Sequence, residues 1–114
     1  MASASAVLER RRASRLRMRI PVKVFGSAED GQLLDTLAEA VAISRYGALI
    51  RVPHSLPLGM RVEILHGISQ ETREFRVVRV SEPQSDGFFE LGVEILYPGR
   101  NFWGVPFPGE RHSA

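Results

Sequence analysis

Period-two alternation, repeated in short runs, constrains this chain more than any other feature. TREFRVVRV (residues 72–80) and MRVEIL (60–65) set charged or polar residues against apolar ones almost step by step. Strands turn successive side chains to opposite faces, so this pattern describes a sheet with one wet and one buried face. Arg17, Arg19 and Lys23 alternate in the same way with Met18, Ile20, Val22 and Val24. Pro21 within that run suits an edge strand or a strand start. ALIRV (48–52) and FELGVEIL (89–96) read as two further strands.

Turn-forming clusters separate these runs: GSAEDGQ, SRYG, PHSLPLG, HGISQE and SEPQSDG. LLDTLAEAVAIS (33–44) is the ambiguous segment. Leu34, Leu37, Ala38 and Val41 fit a helical stripe, and Leu, Ala and Glu favour helix. The neighbouring segments are strands, so Thr36–Ile43 is expected to be a strand too. About six short, evenly spaced strands predict an all-β barrel or sandwich. Closing the sheet into a barrel removes exposed edges. YPGRNFWGVPFPGE then follows, rich in Gly, Pro and aromatics, with room for one short helical turn.

The length of 114 residues fits one domain, long enough to bury a core without a disulfide or metal. Cysteine is absent, which removes disulfides, thiolate sites and a cysteine nucleophile. No segment approaches the roughly 20 apolar residues of a membrane span. The N-terminus places small residues before charge, the reverse of a signal peptide. A soluble, cytoplasmic protein is expected.

Charge is polarised along the chain. Residues 1–19 hold six arginines and one glutamate, so the remainder carries −3 within a whole-chain net of +2. Such asymmetry points either to an anionic partner or to a solvated tail. Arg11 and Arg15 lie four apart. Arginine's planar fork suits bidentate phosphate contact and stacking on flat rings.

Catalytic constellations are missing from the sequence. His54, His66 and His112 have no metal-ligand spacing, and each is expected to be a solvated surface residue. Acidic residues alternate with basic ones along strands, as on a wet barrel face. Ser44 lacks a nucleophile-elbow context, and GRNFWG lacks the Lys-Ser/Thr of a phosphate loop. An enzyme is not expected.

The stretch RRASR just before the first strand, with LRMRIPVKV after it, resembles the start of a PilZ domain, the bacterial module that binds cyclic di-GMP. The family's Arg-x-x-x-Arg motif falls on Arg11 and Arg15. Its second motif, Asp/Asn-x-Ser-x-x-Gly, falls on AISRYG: Ser44 and Gly47 match, and Ala42 departs. GALI, LPLGMRVEI and LGVEI look like the family's later strands, so the likeness spans residues 9–108.

The resemblance implies a six-stranded antiparallel β-barrel with a flexible basic N-terminal arm and a short C-terminal helical turn. Its expected layout is a disordered 1–9, a domain over 10–108 (arm 10–16, barrel 17–97, cap 98–108) and a tail over 109–114. The implied ligand is cyclic di-GMP, with no cofactor and no metal. Arg11 and Arg15 would grip it, Ser44 would offer its hydroxyl, and Gly47 would form the turn with positive φ. Arg12, by chemistry alone, would add a phosphate contact. A downstream protein partner would read the ordered arm.

Ala42 removes a carboxylate or amide from the pocket. The alternative is therefore a degenerate PilZ adaptor that binds protein and no nucleotide, using NFWGVPF as its contact surface. Phe102, Trp103 and Phe107 read better as a cap on the barrel. Specific nucleic-acid binding is not expected, because the barrel is net acidic and shows no aromatic platform interleaved with Lys and Arg.

Overall fold

The computed structural model describes residues 15–27, 33–97 and 99–107. It contains seven strands and no helix among those residues. They are β1 (Arg15–Leu16), β2 (Ile20–Ser27), β3 (Leu33–Ser44), β4 (Gly47–Val52), β5 (Arg61–His66), β6 (Thr72–Val80) and β7 (Phe89–Ile95). Every pairing is antiparallel. The sheet runs β3-β2-β5-β6-β7-β4, and β4 returns to β3, closing a six-stranded barrel. β1 is a two-residue addition beside β3.

Alternation builds the core directly. Ile20, Val22 and Val24 of β2, Val62 and Ile64 of β5, and Phe75 and Val77 of β6 all point inward and are buried. Their neighbours Lys23, Arg61, Glu63, Glu74 and Arg76 lie on the wet face. The ambiguous segment is a strand, longer than the expected Thr36–Ile43. Its helical propensity loses to strand pairing, with β2 along Leu33–Ala40 and with β4 from Glu39 to Ile43.

Two irregularities let the sheet curl. The β3–β4 register shifts between Ala40 and Ala42, and the β6–β7 register between Val77 and Arg79. Bulges of this kind bend a strand and sharpen its twist. A third slip separates β1 from β2. From Arg15 to Ile20 is five steps, but their partners Ser44 and Ala40 on β3 are four apart. The strand expected from Arg17 is thus interrupted over 17–19 and resumes at Ile20.

Two expectations are corrected here. No helical turn occurs in residues 99–107. Instead the Asn101 side chain organises the segment: its Oδ1 accepts from the backbone N–H of Trp103 and Gly104, and its amide donates to the Val105 carbonyl. Side-chain capping by Asn offers the backbone an alternative to helix. That turn drives Phe102, Trp103 and Phe107 into the barrel end, where all three are buried.

The second correction concerns His66, which is buried rather than solvated. It is the last inward position of β5, two residues after Ile64. Its ring lies 5.6 Å from Phe102 and 5.7 Å from Trp103. Nδ1 accepts from the backbone N–H of Ile68 and Ser69, which places the ring proton on Nε2. Ending the strand at Leu65 hid this role in the sequence.

Candidate functional site

The sequence places the basic arm and the SRYG turn about 30 residues apart, and the sheet brings them together. Arg15 is the Cα partner of Ser44, and Leu16 is the partner of Ile43. Ile43 is buried, so Ala42 and Ser44 turn to the outer side of β3. Directly opposed residues share a face, with Cβ atoms roughly 4.5–5.5 Å apart. Arg15 is exposed there, and Leu16 packs against the core, which fixes where the arginine emerges. Arg11 and Arg12 lie outside the described residues.

Ser44 closes a tight local turn. Its Oγ accepts from the Tyr46 backbone N–H at 3.3 Å. A hydroxyl that accepts still has its own hydrogen to donate, so Ser44 can serve a phosphate or carbonyl oxygen. The Tyr46 carbonyl accepts from the Ile95 N–H at 2.8 Å, tying the turn to β7.

Gly47 opens β4 and is buried. The expected positive φ is not found; among the described residues the positive-φ glycines are Gly59, Gly87 and Gly104. The need for glycine here is steric. A Cβ on residue 47 would stand 2.2 Å from the Val93 carbonyl oxygen and 3.3 Å from the Glu94 Cα. The motif glycine thus allows the turn to press against the β7 backbone.

Ala42 pairs with Leu49 immediately after the β3–β4 bulge and is half-buried. Its methyl offers no hydrogen bond on the face that Ser44 shares. Two residues near the turn escape sequence reasoning. Glu94 is the Cα partner of Gly47 and is exposed. Tyr46, in a variable position of the motif, exposes 42% of its surface. The aromatic in SRYG was visible in the sequence. The Glu94 placement depends on cross-strand register, for which the sequence carries no local signal.

The arrangement is a polar rim, with Arg15 exposed and Ser44 half-buried beside it. It offers a guanidinium, a hydroxyl and a turn clamped to the sheet. Among the described residues, no three His, Asp or Glu side chains gather as metal ligands. No helix among them is long and apolar enough to cross a membrane.

The family model described as PilZ domain matches residues 9–101. The chain belongs to the PilZ domain family. Among solved structures it is similar to the PilZ domain with c-di-GMP of YcgR from Escherichia coli. That likeness has a TM-score of 0.54 at 15% identity and covers 76% of this chain and 78% of that one. At this identity it shows the fold, a PilZ barrel. A search of the curated proteins found no match. The PilZ match spans both the arm and the SRYG turn, the two stretches that the β1–β3 pairing joins.

Proposed function

We propose that this chain is a cyclic di-GMP-binding module of bacterial second-messenger signalling, a receptor rather than an enzyme. The observation that carries the reading is the pairing of Arg15 with Ser44, which brings the two PilZ motifs to one rim. The YcgR PilZ domain, solved with c-di-GMP, supports the ligand class.

The ligand carries two phosphates and two guanines. Arg11 and Arg15 would meet phosphate oxygens and guanine faces, since guanidinium both pairs with phosphate and stacks on flat rings. Arg12 would add a phosphate contact. The Ser44 hydroxyl would donate to the ligand, and Gly47 would hold the turn close to β7. Ordering of the arm over the dinucleotide would be the signal that a downstream protein reads in the cytoplasm.

Ala42 favours a second reading, a PilZ adaptor that acts without nucleotide. Loss of a polar contact at that position would weaken binding by about 1–3 kcal/mol, roughly fivefold to more than a hundredfold. Isothermal titration of the full chain with cyclic di-GMP at physiological salt separates the two. Saturable binding that Arg11→Ala/Arg15→Ala abolishes, and that Ala42→Asp tightens about tenfold or more, supports the receptor. Absence of binding up to high micromolar ligand refutes it and leaves the adaptor.

A further inference from the structure

The far end of β3 carries a feature that the nucleotide reading does not use. β3 pairs with β2 from Leu33 to Ala40, but with β4 only from Glu39 onward. From Leu33 to Leu37 the β4-side edge has no strand partner among the described residues. The cause lies in β4, which ends at Val52 and runs into Pro53, a residue with no N–H to donate.

Exposed strand edges are templates for another strand, and proteins usually guard them with Lys, Pro or a bulge. LLDTL has no Lys, Pro or bulge; its one charge is Asp35, which Lys23 of β2 approaches to 3.9 Å. Its outward residues are Leu33, 81% exposed, Leu37, 72% exposed, and Asp35 between them. Each leucine would add apolar burial to the main-chain bonds of an added strand.

We infer that this edge pairs with the same edge of a second copy of the chain, antiparallel about a two-fold axis at Asp35. The register follows from which positions are free. Centred on Asp35, the pairing uses only residues 33–37, and Leu33 of each copy stands opposite Leu37 of the other. Faces then match, so both sheets continue as one. Centred on Thr36, Leu33 would instead face Glu39, whose edge is already taken by Arg51 of β4. Leu37 would then face Asp35. The Asp35-centred register is therefore the self-complementary one.

Its cost is the meeting of two Asp35 carboxylates at the axis. Lys23 lies 3.9 Å from Asp35 within each copy and offsets part of that repulsion. The axis lies near the opposite end of a 12-residue strand from Ser44, about 30 Å away at ~3.4 Å per residue. The dimer thus leaves the Arg15–Ser44 rim open.

The chain has no cysteine, so a single introduced one gives a clean report. At the axis of an antiparallel pair, Cα atoms stand about 4.5–5.5 Å apart, within disulfide reach. Sedimentation velocity of the full chain over a wide concentration range should show a monomer–dimer equilibrium. Leu37→Arg should weaken it about tenfold or more, and Asp35→Asn should strengthen it several-fold, as expected for cross-strand pairs. Under mild oxidation, Asp35→Cys should cross-link much faster than Leu58→Cys, an exposed control in the turn after β4. A monomer at every concentration overturns the inference. So does dimerisation that Leu37→Arg leaves untouched, or Asp35→Cys linking no faster than the control.

Discussion

Replacing Gly47 with alanine tests why the motif needs glycine. The new Cβ would meet the Val93 carbonyl oxygen at 2.2 Å, against a normal contact of roughly 3.4 Å. The obstacle is strand backbone, so no side chain can swing away. Either β4 or β7 must move by about 1 Å, which strains the Ile95 N–H to Tyr46 carbonyl bond. Overpacking costs about 1–3 kcal/mol and the weakened hydrogen bond about 1 kcal/mol more. The expected loss is therefore about 2–4 kcal/mol.

Gly59→Ala is the matched control. Gly59 has φ +85° and open space around its Cβ position, so only backbone strain of about 1–2 kcal/mol applies. Urea unfolding of both variants, with unchanged slope, gives the comparison. A third variant separates the causes. Asn tolerates positive φ better than Ala, so Gly59→Asn should be milder than Gly59→Ala. At position 47 asparagine is larger and should be worse than alanine. A Gly47→Ala variant no less stable than Gly59→Ala, or one rescued by asparagine, would refute the steric argument.

Two further predictions rest on single residues. Phe75 is fully buried with ring centroids 5.6 Å from Phe102 and 6.3 Å from Trp103, so Phe75→Ala should cost about 3–5 kcal/mol in urea unfolding. Asp86 accepts from Arg51 at 2.6 Å and from the Phe88 N–H, and these hold its carboxyl below the usual aspartate value. A depressed folded-state pKa contributes stability above the unfolded value near 4, and that contribution fades as pH falls through the folded value. The acid limb of a stability–pH curve should therefore be shallower in Asp86→Asn, with the difference closing at the lowest pH.

The sequence showed the barrel most clearly where one side of a strand is core and the other water. Thr72–Val80 is found with the very bounds that alternation gave it. Legibility fell where that contrast faded. In β3 the inner positions include Leu34, Thr36 and Ala38, which are only half-buried, so the pattern blurred toward a helix. His66 was misplaced because a polar residue at an inward position breaks the alternation that would have revealed it. The Asn101 turn was missed because its hydrogen bonds come from one side chain, not from a periodic pattern. Arg15, Ser44 and Gly47 were visible as motif positions. Their meeting, and the carbonyl that demands Gly47, depend on register between distant strands.

The route by which the barrel closes has a kinetic side. Hairpins such as β2–β3 and β5–β6 join neighbours in sequence, but β4 must wait for β7, about 40 residues later. Loop closure of that length makes the β4–β7 seam a late step, so folding through this topology is slow compared with helical chains of similar size. Phe102 and Trp103 come later still, and they stop the open end of the barrel. During synthesis, the inner faces of the early strands would stay uncovered until these residues emerge, and transiently exposed apolar surface of that kind is prone to aggregate. Trp103 is the single tryptophan, so its fluorescence dates the sealing of the core rather than the formation of the first hairpins.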